Sequence, residues 1–263
     1  MGNNINDGYA DSNRLSDKAL LIYNDFLHSG KFLTHYKWLK NAAETYDIKL
    51  ELMGNSEFLC SYGTSFDKEL IETLGKYRFI LFWDKDIRLG KKFTNICKKI
   101  NIPIYNNIRA IADCDDKSAT YEKIGQWNDC HDTLEQIKMI PTIVAPMTYE
   151  NIGYTDMNFL DKVAEKFGFP LVIKECFGSF GMQVYMAHDM DELKKRVSDI
   201  GGKPMIFQKF IEKSSGFDVR LQVVGDEVVA AMYRYTDDGD FRANITHGGK
   251  MKSYEPDASE IKL

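Results

Sequence analysis

The sequence predicts an α/β protein built in two styles, and three observations carry that expectation. Between residues 18 and 105, short apolar runs alternate with segments of helical periodicity, the pattern of a small parallel sheet with helices on its faces. Beyond residue 169 the strand-like runs follow one another more closely. Two long alternating runs, 219–224 and 228–235, are joined by Gly225-Asp226-Glu227, a hairpin with a glycine-containing turn. The second half is therefore expected to be α+β and largely antiparallel.

Each element has its own warrant. Ala19-Leu20-Leu21-Ile22-Tyr23 is a short apolar run of buried-strand type. Phe32, Leu33, Tyr36, Leu39, Ala43 and Tyr46 recur at helical spacing, and residues 48–52 alternate as a strand does. A second cycle adds a helix near 66–77, the run Phe79-Ile80-Leu81-Phe82-Trp83, a helix over 89–100 and a short strand at 103–105. A helix is expected over 116–127, capped by Asp115 or Asp116, with a loop over 128–136. Then come a strand at 142–145, a helix over 157–167, strands at 170–175 and 182–187, a helix over 190–197 and a strand over 205–211. This divides the chain into a polar, disordered tail (1–17), a first α/β domain (18–113), a flap-bearing segment (114–205) and a C-terminal segment (206–263).

Bulk properties narrow the function. At 263 residues, 44% hydrophobic and 28% charged, the chain has the composition of a soluble globular protein. A net charge of −5 argues against a general nucleic-acid binder, which needs a basic face. No run reaches the ~18 apolar residues that cross a bilayer, and the polar first seventeen residues lack the apolar core of a signal peptide. Asn6 stands where a myristoylation motif wants Ser or Thr. Five scattered cysteines without a Cys-x-x-Cys pair speak against a disulfide framework or a zinc site, and so for a reducing cytoplasm.

The chemistry gathers between residues 169 and 249. Lys174, at the end of Pro170-Leu171-Val172-Ile173, must place its ammonium in or beside a buried sheet, so it needs an anion, a salt-bridge partner or a route to solvent. The loop Phe177-Gly178-Ser179-Phe180-Gly181 is either an ordinary hairpin turn or a phosphate flap, whose glycines let backbone N–H groups approach a polyphosphate. Gln208-Lys209-Phe210-Ile211-Glu212 is either an edge strand or a hinge offering backbone groups to a purine between apolar walls. Asp218 and Arg220 share one side of a strand, as an ion pair or as part of an anion site. Arg220, Arg234 and Arg242, with Asn244 beside them, would repel one another on a common face unless a phosphate or carboxylate sat among them. His28, His35, His131, His188 and His247 show no paired spacing and are expected at the surface or in the core, with His247, beside Gly248-Gly249, the candidate to line the site. Cys176 reads as a packed small residue.

From about residue 116 to 254 the chain resembles the ATP-grasp enzymes, most closely the RimK-like ligases that attach glutamate to protein or peptide termini. The matching stretches are Asp116-Lys117, PLVIK (170–174), FGSFGMQV (177–184), QKFIE (208–212), GFDVRLQVVGDEVVAAMYR (216–234) and GDFRANITHGG (239–249). The last two blocks are long and specific, and the preceding α/β domain agrees with the family's pre-ATP-grasp domain. The resemblance implies that Lys117 and Lys174 contact ATP phosphates under a flap carrying Gly178, Ser179 and Gly181. It implies that Lys209, Phe210 and Ile211, next to Gln208, hold the adenine and that Asp218 lies by the nucleotide. Arg220, Arg234 and Arg242, with Asn244, would surround the γ-phosphate and an acyl-phosphate. In the family, carboxylate and Glu-x-Asn ligands for Mg²⁺ follow well after the Gly-Gly pair, so the chain is expected to be truncated and to carry no metal ligands of its own.

Two functions follow from this. One is an ATP-dependent carboxylate–amine ligase acting through an acyl-phosphate on amino-acid or peptide substrates, with Mg²⁺ in the complete site. The other is a non-catalytic ATP-binding fragment or pseudo-enzyme. Neither reading involves nucleic acid or a membrane, and exposed core surface would favour homo-oligomers.

Overall fold

The computed structural model describes residues 17–27, 29–62 and 64–261. The tail expected over 1–17 falls almost wholly outside the described residues, as does His28. The chain folds as two compact units, the first ending at Ala112 and the second Asp113–Leu263. Residues 114–205 and 206–263 fall in the same unit.

In the first unit, β1 (Lys18–Tyr23), α1 (Gly30–Glu44), β2 (Lys49–Gly54), α2 (Thr64–Leu74), β3 (Ile80–Trp83), α3 (Ile87–Lys99) and β4 (Ile104–Tyr105) form a parallel sheet of order β2-β1-β3-β4 with its helices. The apolar run of β1 is central because both of its faces are covered. Leu20 and Ile22 join Ile80, Phe82, Leu89, Phe93 and Ile96 on the α2–α3 side. Ala19 and Leu21 join Tyr36 and Leu50 on the α1 side. Alternate side chains of a strand point to opposite faces, so a strand buried twice reads as a continuous apolar run. The first unit ends in α4 (Ile108–Asp115), a two-turn helix begun by Asn107 Oδ1, which accepts the Arg109 N–H at 2.9 Å. The sequence pattern shows no sign of this helix, which runs on into the second unit.

The second unit opens with α5 (Lys117–Cys130), capped as expected by Asp116, which accepts the Ser118 N–H at 2.8 Å. The helix runs three residues into the stretch expected to be a loop. β5 (Thr142–Val144), α6 (Phe159–Phe167), β6 (Leu171–Glu175), β7 (Val184–Ala187), α7 (Met190–Ile200) and β8 (Met205–Lys209) follow. Their sheet, β5-β8-β6-β7, is antiparallel throughout. Leu171, Ile173, Met205 and Phe207 face α6 and α7, packing on Leu160, Val163, Leu193 and Val197. By alternation Val172, Lys174, Ile206 and Gln208 occupy the opposite face. β8 stops at Lys209, two residues short of the expected strand end, which leaves Phe210 and Ile211 outside the ladder.

β9 (Phe217–Val224) and β10 (Glu227–Tyr235) form the expected hairpin, and β11 (Lys250–Ser253) adds an unforeseen third strand. A last turn of helix, α8, spans Ala258–Ile261. Among the described residues no helix is long and apolar enough to cross a membrane.

Candidate functional site

The second unit contains a cavity of about 200 Å³ lined by Lys174, the 208–211 segment, Asp218 and Arg242 to Asn244. Its construction follows from the registers just described. Lys174 lies opposite Ile206 on the β6–β8 pair, on the face turned away from the apolar layer of α6 and α7. Its ammonium is pushed below its ordinary pKa, first by burial and second by the charge of Lys117. No hydrogen bond or ion pair of Lys174 occurs among the described residues. A half-buried ammonium next to a second ammonium is an unfavourable arrangement that an anion relieves.

Lys117 is the first residue of α5. Its backbone N–H donates to Cys176 O at 3.1 Å, and its Nζ donates to Cys176 O at 3.2 Å and Gly178 O at 3.4 Å. The lysine is thereby tied to the start of the glycine loop. Cys176 itself is buried, and burial pushes its thiol pKa up, which makes it a packing residue and a poor nucleophile.

The hinge divides into two parts. Gln208 is 2% exposed and turns its amide away, donating to Tyr121 Oη at 2.6 Å and Thr142 Oγ1 at 2.8 Å. Lys209 N–H donates to Pro141 O, and Ile211 O accepts from Ser214. The N–H groups of Phe210 and Ile211, outside the strand ladder, make no hydrogen bond among the described residues, so they are the hinge donors available to a ligand. Phe210 packs edge-on to Phe241 at 6.4 Å between ring centres, walling the cavity.

Two of the three arginines are held by aspartates. Asp218 and Arg234 lie directly opposite in the β9–β10 register and form a two-pronged ion pair at 2.7 and 2.6 Å. Arg242 is held by the Asp240 carboxylate through Nε at 3.0 Å and Nη2 at 2.7 Å. At both positions the repulsion foreseen from the sequence is met by an aspartate, not by a ligand. Arg220 is the exception: it has no hydrogen-bond partner among the described residues, and burial followed by the charge of Arg234 pushes its pKa down. Asp240 was missed from sequence because its partner sits only two residues away in an irregular segment, where no periodicity predicts which side chains meet.

Gly178, Ser179 and Gly181 lie beside the cavity in the loop between β6 and β7. Ser179 N–H donates to Gln183 Oε1 at 3.2 Å, and a Cβ on Gly178 would sit 2.5 Å from that same oxygen. A Cβ on Gly181 would meet Asn244 Oδ1 at 2.6 Å, so the loop and the 242–247 segment are in direct contact. His247 Nε2 is buried and has no hydrogen-bond partner among the described residues. Among the described residues no group of three or more His, Cys, Asp or Glu side chains could hold a metal ion.

Known proteins resemble this chain in sequence and in fold. A family model of the RimK-like ATP-grasp domain matches residues 127–263. An uncharacterized Mycoplasma pneumoniae protein is 29% identical over 246 residues, covering 92% of this chain and 78% of that protein. Human N-acetylaspartylglutamate synthase A is 28% identical over 172 residues, 63% of this chain but only 38% of the human protein's length. Among solved structures, an ATP-grasp RimK domain protein from Sphaerobacter thermophilus superposes with a TM-score of 0.57 at 15% identity, covering 87% of this chain and 77% of that one.

Proposed function

Because the chain belongs to the RimK-like ATP-grasp family, we propose that its second unit binds ATP and serves an ATP-dependent ligase joining a carboxylate to an amine of an amino acid or peptide. The observation that carries this reading is Lys174, a half-buried ammonium with no partner among the described residues, beside Lys117 and lining the cavity. Its environment fits a polyphosphate, since an anion there would offset both the burial and the repulsion.

In this reading Lys117 and Lys174 hold the phosphates, and a backbone N–H of the 210–211 segment donates to the adenine edge, with Phe210 and Phe241 in the cavity wall. When bound, ATP would give up its γ-phosphoryl group to a carboxylate, leaving ADP and an acyl-phosphate, whose acyl carbon an amine then attacks, expelling phosphate and forming the amide. Arg220, which has no hydrogen-bond partner among the described residues, is the residue available to stabilise charge on the transferring group. Arg234 and Arg242, already paired with Asp218 and Asp240, serve chiefly to shape the site.

Calorimetric titration with ATP tests the reading. The unaltered chain is expected to bind, and Lys174→Ala to weaken binding at least tenfold without unfolding. Equal affinity in the variant would remove Lys174 from the site and take the proposal with it. An ADP-release assay with mixed amino-acid and peptide substrates then separates a ligase from a nucleotide-binding module, since binding without turnover favours the module.

A further inference from the structure

The net charge of −5 conceals an uneven distribution. Residues 1–112 hold 16 Lys and Arg against 13 Asp and Glu, a net +3, while residues 113–263 hold 18 against 26, a net −8. Within the first unit the positive charge gathers on α3. Arg88, Lys91, Lys92, Asn95, Lys98 and Lys99 recur at the spacing that puts side chains on one helix face. Leu89, Phe93, Ile96 and Cys97 fill the opposite face in the core. All of the six but the half-buried Lys92 are exposed, and the row from Arg88 to Lys99 is ~16 Å long at the helical rise.

The helix by itself does not favour this row. A helix N-terminus is the positive end of the macrodipole, yet beyond its cap, Asp86, the first turn of α3 has no acidic residue and carries Arg88. Arg88 and Lys92 are like charges four residues apart, which weakens a helix. Asp67 pairs with Lys92 and, at 3.7 Å, with Lys99. Arg88, Lys91 and Lys98 have no ion pair among the described residues. Beside the start of α3 stands Tyr62, 76% exposed. Cys60 Sγ ties it there, 3.6 Å from Tyr62 Oη and 3.8 Å from Arg88 O. Lys92 Nζ lies 5.2 Å from the centre of the tyrosine ring.

We propose that α3 and Tyr62 form a docking face for single-stranded nucleic acid, the cations tracking the phosphate backbone and the tyrosine ring stacking on a base. Charge complementarity selects this occupant, and an exposed ring among cations is what a sequence-tolerant strand binder uses. A protein partner matches the face less well, because the centres of protein interfaces are depleted in lysine. A membrane-surface helix needs apolar side chains towards the lipid, and this face has none. The acidic second unit does not forbid the contact, since at ~0.1 M salt charges more than about 10 Å away are screened. The face is separate from the nucleotide cavity of the second unit and does not depend on how that cavity is read.

The test is fluorescence anisotropy of a labelled oligouridine of about 15 nucleotides, titrated with the full chain at several salt concentrations. Binding is expected at low salt, with log affinity falling against log salt at a slope of about −2, as three neutralised phosphates give. Lys91→Ala combined with Lys98→Ala should weaken binding about tenfold and bring the slope to about −0.7. Tyr62→Ala should also weaken binding about tenfold but leave the slope unchanged, and Tyr62→Phe should bind as the wild type does. The three substituted positions are exposed, so each variant should keep the wild-type melting temperature. The proposal is overturned by an absence of binding at low salt, or by an affinity indifferent to Lys91 and Lys98. Polyglutamate displacing the oligonucleotide as readily as unlabelled strand would make the face a protein-docking one. An unchanged affinity in Tyr62→Ala would remove the stacking and the preference for single strands with it. Excess ATP should not displace the oligonucleotide; displacement would move the strand to the second unit's cavity and end the assignment to α3.

Discussion

The parallel sheet of the first unit and the β9–β10–β11 sheet of the second are nearly equal in strand number and opposite in design. In the first, residues 19–22 of β1 are fully buried between α1 on one face and α2 with α3 on the other. In the second, β9 has no buried residue, and Val223 and Val224 are 60% and 67% exposed. One face of that hairpin carries Asp218, Arg220 and Arg234 where the first sheet carries Leu and Ile. Stability in the first sheet comes from apolar area removed from water. In the second, backbone pairing and ion pairs hold strands whose side chains remain available for chemistry. A sheet buried on both faces has nothing left to bind with, whereas an open charged face is costly to fold but can recognise an anion.

The largest way to probe this contrast is Leu20→Ala in β1, which should cost about 2–5 kcal/mol through lost burial and a residual cavity. Chemical denaturation would measure it, and a cost below about 1 kcal/mol would mean that the β1 core is less closely packed than it is described. A smaller effect is expected from Asp218→Asn, which breaks the pair with Arg234. Because the Asp218 side chain is 40% exposed, the loss should be only about 1 kcal/mol, discounted for solvent. The freed Arg234 charge should at the same time tighten pyrophosphate binding, measured by calorimetry. Tighter binding with reduced stability is the outcome that distinguishes a site residue from a purely structural one.

The smallest effect is on pH dependence. Lys174 has a depressed pKa in the free protein, and a bound polyphosphate would favour its charged form, so the complex holds more protons than its free components at alkaline pH. Affinity for ATP should therefore fall as pH rises through that depressed pKa towards the ordinary lysine value. The fall should be absent in Lys174→Met, and a matching slope in that variant would assign it to another group.

Much of the fold was legible because it is written in local periodicity. The run Ala19 to Tyr23, the helical spacing of α1 and the alternation of β9 and β10 each state their burial within a few residues. What escaped has no such pattern. β11, Lys-Met-Lys-Ser, is exposed at every position and is a strand only because the edge of β10 pairs with it. α4 is two turns with one buried residue, too short for a stripe to show. The candidate site divides in the same way. Lys174 and the glycine loop announce themselves by being out of keeping with their neighbours. Gln183 as the acceptor for the Ser179 N–H, and Thr246 as the donor to Phe180, carry no local sign.

By itself, then, the sequence determined most of the helices and strands and which family the second half belongs to, and it marked Lys174 as out of keeping with its neighbours, because each of these rests on residue type and spacing along the chain. Only the tertiary structure decided that Asp218 faces Arg234, that Asp240 claims Arg242, that Arg220 is left without a hydrogen-bond partner among the described residues, and that the Thr246 hydroxyl meets Phe180 O. Those pairings depend on strand register and on contacts between segments up to sixty-six residues apart, and nothing in a linear pattern specifies which of two nearby carboxylates a guanidinium will meet.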